Sequence, residues 1–253
     1  MTYLLGFGIA LTIGLTGVGG GTLTVPLLVL FLGVPASTAV GSALAFSAAV
    51  KVPACIVYLQ RKEVSFKILG WLLLGGAPGV LTGSLLLNRL AGSGLQGAIL
   101  AVVGLTLTVI ASVNLFRLVW GRTRMEAPRE RLGLLPICAL PIGAEVGFSS
   151  AGAGALGTLV LLQFTALAPS AVVGTDLLFG FIVSTIGGGL HVSMGNFDKD
   201  LLFRLILGGL PGAFLGARLA GVLPGRTLRG VLLAWLVYLG SLLAYRGLHA
   251  VML

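Results

Sequence analysis

Four ionisable side chains stand inside long apolar stretches of this chain: Lys51, Glu145, Asp176 and His191. Such a group is costly within a membrane and normally faces a cavity, a polar partner or a wet path. Lys51 lies about fifteen residues into the apolar segment 36–60, and Asp176 about seven into 169–192. Glu145 lies near the end of 132–148, and His191 closes its segment. Lys51 and Tyr58 are seven residues apart and share a helix face, as do Ser184 and His191. A Lys51–Asp176 ion pair is one outcome of that arrangement, and a direct role in handling a substrate or a proton is the other. Glu145, Asp176 and His191 are the candidate proton-handling groups.

Glycine-rich breaks offer a second kind of chemistry. The stretches GLTGVGGGTL and GFSSAGAGAL interrupt two apolar segments, with Gly17, Gly19, Gly20 and Gly21 in one and Gly152, Gly154 and Gly157 in the other. A half-helix restarting after such a break presents N–H groups without intrahelical partners, and with the helix dipole these form an uncharged anion receptor. Gly19, Gly20, Gly21, Thr22, Gly152 and Gly154 are candidate substrate contacts on that reading; close helix packing is the structural alternative. The hydroxyls of Ser42 in AVGSAL and Thr175 in VVGTDL could donate to an oxyanion, or could bond their own helix.

The elements that hold these residues are membrane helices. Of 253 residues 57% are hydrophobic and only 9% charged, against about a quarter charged in soluble domains. Stretches such as 68–88 and 94–116 exceed the roughly 18 apolar residues that mark a membrane helix. The +9 charge reads as orientation: Arg61, Lys62 and Lys67 in one connector, and Arg117, Arg122, Arg124, Arg129 and Arg131 in another, predict a shared cytoplasmic side. With no aromatic-lined basic module, nucleic acid is not an expected partner. Cys55 and Cys138 sit in apolar surroundings and imply no disulfide framework. The segment MTYLLGFGIA lacks a basic leader and is expected to stay as the first membrane element.

The chain is also duplicated. Gly41 matches Gly174, Tyr58 matches His191 and Pro78 matches Pro211, each at an offset of 133 residues (174 − 41). The glycine–proline faces Gly75-x3-Gly79-x3-Gly83 and Gly208-x3-Gly212-x3-Gly216 recur at the same offset and predict tight helix contacts. The expected fold is all-α and polytopic: residues 1–120 as a first repeat, 117–131 as a cytoplasmic linker, and 132–253 as a second repeat. Each repeat holds a glycine-broken or re-entrant first helix and three further helices, about eight elements in all. A fold-back at each break makes the halves inverted and a pass-through makes them parallel; the excess length of the broken segments favours the fold-back.

Duplicated halves around broken helices predict a transporter with its site at their interface near the bilayer midplane. An intramembrane enzyme is disfavoured, because HExxH, GxSxG and paired-cysteine patterns are missing. A channel or scaffold is the remaining rival. No metal or cofactor is expected.

Together GxGGG followed by LxVPLL (Gly17 to Leu28), AVGSAL, LGGxPGxxxG and HxxxGNFD (His191 to Asp198) resemble the TauE/SafE sulfite exporter family over nearly the whole chain. The resemblance implies a multi-pass permease of the bacterial cytoplasmic membrane that moves sulfite, a sulfonate or a related anion, coupled to an ion gradient, with protons as a candidate. AVGSAL carries serine and alanine where that family often has threonine and serine, and the loop Arg61-Lys62-Glu63 is unusually charged.

Overall fold

The computed structural model describes residues 2–16, 20–93, 95–120, 130–151, 154, 156–219 and 225–252. Among them there is no strand. Ten α-helices follow one another: α1 (Thr2–Thr16), α2 (Gly20–Leu32), α3 (Ala36–Gln60), α4 (Phe66–Gly92), α5 (Gln96–Trp120), α6 (Leu135–Ser149), α7 (Leu156–Phe164), α8 (Pro169–Ser193), α9 (Lys199–Leu219) and α10 (Gly225–Met252), with a 3-10 turn at Leu132–Leu134 before α6. Six spans are long and apolar enough to cross a membrane: α3, α4, α5, the run Leu132–Ser149, α8 and the main part of α10.

The helices repeat as the sequence does. Adding 133 to the limits of α1 gives those of α6, and adding it to α3 gives those of α8. At 1.5 Å per residue α1 and α2 are each about 20 Å long, too short for a hydrocarbon core of about 30 Å. Each is therefore shorter than a full crossing, as is α7, whereas α6 with its leading turn makes up the run Leu132–Ser149.

Small residues let the backbones touch, and the contacts fix the helix directions. Along α4, Gly75, Gly79 and Gly83 lie against the carbonyl oxygens of Pro136, Leu140 and Ala144 in α6, where a Cβ would collide. Along α9, Gly208, Gly212 and Gly216 lie in the same way against Tyr3, Phe7 and Leu11 of α1. In both pairs the numbers rise together, so α4 runs with α6 and α9 with α1. Each half thus lends its glycine-faced helix to the first helix of the other.

α3 and α8 run the opposite way to each other. Gly41 meets His191, Lys51 meets Ser184, and Gly174 meets Tyr58. α5 and α10 are also antiparallel, with Gly97 against Val251, Gly104 against Ala244 and Gly240 against Thr108. α4 runs with α8, since Gly76 abuts Phe179 and Val80 abuts Gly187. Hence α6, α4 and α8 share one direction, and α7, which joins α6 to α8, has to run back. Ser150, left-handed at φ 61°, and Gly154, at φ 95°, make that reversal.

The core repeats too. Phe46 and Phe179, both fully buried, occupy matching positions and seat on Gly209 and Gly76 respectively. Because the helix contacts leave no room for a side chain, Gly79→Leu is expected to cost at least about 1–3 kcal/mol through overpacking. Gly70→Ala, on an open face with nothing within 4 Å, is the neutral control. Melting of the two purified variants in detergent, followed by intrinsic fluorescence, checks the difference.

Candidate functional site

The two breaks face one another. Gly21, in the first turn of α2, lies directly against the carbonyl and hydroxyl oxygens of Ser150, where a Cβ would collide. Ser150 occupies the turn after α6, is 6% exposed, and its Oγ has no hydrogen-bond partner among the described residues. The sequence singled out the glycines and passed over this serine. Gly20 opens α2, and Thr22 in its first turn is buried. Gly17, Gly19 and Gly152 lie outside the described residues.

The second break holds a carboxylate. Thr158 Oγ1 donates to Asp176 Oδ2 at 2.5 Å. The backbone N–H groups of Gly154 and Thr158 lie around the same carboxylate, and Oδ1 abuts the Cα of Gly157. Asp176 is 3% exposed, and Oδ1 has no hydrogen-bond partner among the described residues. Asp176, from α8, therefore sits at the start of α7, where the free amides and the helix dipole attract negative charge.

Lys51 is buried where α3 crosses α8, and its Nζ donates to Ser184 Oγ over a long 3.4 Å. The expected partner Asp176 is not within ion-pair distance; the ammonium sits close enough to feel its charge and no closer. The reason is register. Antiparallel crossing brings position 51 to its own repeat counterpart, 184, and leaves Asp176 further along α8. Nζ carries three donors, and the described residues take up one.

The two candidate hydroxyls serve the opposite half. Ser42 Oγ accepts the N–H of Asp198, which opens α9, at 3.3 Å; Thr175 Oγ1 accepts the N–H of Ser65, which opens α4, at 3.0 Å. These bonds are repeat counterparts (42 + 133 = 175; 65 + 133 = 198). Each satisfies an orphan amide at a helix start.

His191 is fully buried. Its Nε2 lies 3.2 Å from the carbonyl oxygen of Gly147, to which Ser84 Oγ also donates at 3.3 Å. Nδ1 has no partner among the described residues. Next to this cluster Asn196 Nδ2 donates to Asn88 Oδ1 at 2.7 Å. The sequence did not mark Ser84, Asn88, Asn196 or Thr158, because their neighbours are distant in the chain. Glu145 stands apart: Ser149 Oγ donates to its Oε1 at 2.5 Å, and it lines a lateral apolar cleft of about 400 Å³ with Leu105, Val109, Pro141 and Leu156. A matching cleft of about 290 Å³ in the first half has Thr12 at the position of Glu145. No group of three metal-ligating side chains occurs among the described residues.

A duplicated bundle with broken helices and buried polar groups at the breaks is the architecture of a polytopic membrane transporter. The chain belongs to the sulfite exporter TauE/SafE family, whose model matches residues 2–243. Among its relatives in Bacillus subtilis (strain 168) are three named as probable membrane transporter proteins. YjnA is 29% identical, covering 86% of this chain and 88% of its own length. YdhB is 25% identical, covering 94% and 97%, and YunE is 24% identical, covering 96% of each. No solved structure matches the chain.

Thr175→Val would leave the Ser65 amide without its acceptor, at an expected cost of about 1–3 kcal/mol. Thr175→Ser should keep most of that stability. Guanidine-free thermal melts of the two variants in the same detergent distinguish them, and equal melts would mean that the amide finds another acceptor.

Proposed function

We propose that the chain is a secondary permease for sulfite or a related organosulfur anion, with its site where the two helix breaks meet near the bilayer midplane. The observation that carries this reading is the contact of Gly21 with Ser150, which brings the start of α2 against the reversal between α6 and α7. Amides at the start of α2, the hydroxyl of Ser150 and the ammonium of Lys51 are all donors, and a sulfur oxyanion accepts through several oxygens. Gly20 and Gly21 are the proposed backbone contacts, whereas the amide of Gly154 faces the Asp176 carboxylate. Ser42 and Thr175 act at one remove, by tying α3 and α8 to the opposite half.

We read the opposed directions of α3 and α8 as inverted halves, each with a re-entrant hairpin (α1–α2, and α6–α7 although Leu132–Ser149 is long enough to cross) and three crossings: α3, α4 and α5, then α8, α9 and α10. Arg61, Lys62, Lys67, Arg117, Arg131 and Arg218 then gather at one end. Arg89, Lys199, Arg204 and Arg246 are left at the other. The richer end is cytoplasmic by the positive-inside rule, and a bacterial inner membrane fits that bias. Asp176 and Glu145 are the proposed proton-coupling groups; His191 is held in the buried polar cluster at the Gly147 carbonyl.

Two experiments test this. Purified protein in liposomes should take up sulfite saturably, and Lys51→Met should lose the flux by at least tenfold while melting no lower than the parent. A flux unchanged in Lys51→Met removes Lys51 from the mechanism, and a flux indifferent to an imposed pH gradient refutes proton coupling. In a background without Cys55 and Cys138, Arg61→Cys and Asp200→Cys should react with an impermeant maleimide from opposite sides of the membrane. Reaction from one shared side would mean parallel halves.

A further inference from the structure

The duplication fails at one chemically important point. Asp176 has Ala43 as its counterpart (43 + 133 = 176), and Gly157, which makes room for the carboxylate, has Thr24. Thr158, which donates to that carboxylate, has Val25. The second half therefore carries an acidic group set into the start of its own half-helix, and the first half carries none at the matching place. What the first half has instead is Ser150, delivered from the other break, 94% buried by its 6% exposure, and with its Oγ unpartnered against Gly21. Lys51, which bonds Ser184, is eight residues along α3 from Ala43, as Ser184 is eight residues along α8 from Asp176.

We propose that Asp176 is a tethered anion: its carboxylate fills, in the second half, the receptor that the first half leaves for the transported anion. Each chain then takes a single anion, at the first turn of α2 beside Ser150. The proposal deepens the permease reading and rests on it for the identity of the guest, not for the filled receptor. The ancestral duplication supplied two equivalent helix starts. Filling one with a built-in carboxylate halves the number of mobile anions that a lone buried lysine has to balance, and it leaves an acidic group in the second half alone. The site is thus asymmetric, although the scaffold around it is duplicated.

Emptying the filled receptor tests this without reference to transport. Asp176→Ala, purified in detergent, should be stabilised by sodium formate well beyond its effect on the parent at equal ionic strength, because formate can take the vacated place at the start of α7. Equal formate shifts in parent and variant would overturn the proposal. Calorimetric titration with sulfite should give one site per chain in the parent and two in Asp176→Ala; one site in both would also overturn it. Ser150→Ala should weaken sulfite binding about tenfold at unchanged stoichiometry, and an unchanged affinity would remove Ser150 from the site. Should the parent bind no sulfite while formate still rescues Asp176→Ala, the substrate reading falls and the tethered anion stands. Where Asp176→Ala does not fold, the converse transplant decides: Thr24→Gly with Ala43→Asp gives α2 its own carboxylate and should lower both sulfite binding and formate stabilisation at least tenfold. Undiminished binding in a folded transplant would overturn the proposal.

Discussion

A helix that stops inside a lipid bilayer leaves backbone donors and acceptors with no water to meet them. That constraint governs this fold. α1 and α6 each end at a glycine-rich break, and each packs on a helix of the opposite half that is stripped to glycine along one face. The carbonyl oxygens of Pro136, Leu140 and Ala144 lie against α4, and those of Tyr3, Phe7 and Leu11 against α9. These contacts are exchanged between halves, so each half packs its first helix on the other.

The same exchange recurs at the ends of the long helices. The hydroxyl oxygens of Ser42 and Thr175 each hold the opening amide of a helix in the other half. The loops after α3 and α8 show how far equivalence extends beneath differing residues. Lys62 and Gly195 occupy matching places and both adopt a left-handed backbone, at φ 56° and 75°. The Glu63 and Asn196 amides close these turns onto Tyr58 and His191 at 3.0 and 2.9 Å, the arrangement of a glycine-type helix stop. The charged loop that departs from the family pattern therefore has the same backbone as its plainer counterpart.

Helix limits and the breaks were legible in the sequence, since apolar length and glycine clustering are local properties. The glycine–proline faces were legible as contact surfaces for the same reason. What the sequence could not carry was partnership. Helical spacing placed Lys51, Asp176 and Ser184 on shared faces but said nothing about the direction in which α3 crosses α8, and that direction selects Ser184 over Asp176. Ser150 was hidden because it contributes through a left-handed turn, which no pattern of residue types encodes for serine. Asp176 was visible as an isolated charge, but its seat at the start of α7 depends on the return of that helix towards α8.

Antiparallel crossing of two copies of one helix forces a position onto its own counterpart, and here that position is 51 against 184. Two lysines there would set ammonium groups about 4 Å apart in a shielded interior, at a cost of roughly 4 kcal/mol even with generous screening. A duplicated protein can therefore keep one cation at its axis only by losing the other, and serine at 184 is short enough to leave the space and polar enough to hold Nζ. Once the axis carries a single charge the halves cannot remain electrostatically equivalent. Asp176 answers that charge from one side, and the matching place on the other side, beside Ala43, is left without a fixed countercharge. The asymmetry of the buried charges follows from the symmetry of the helices that cross there.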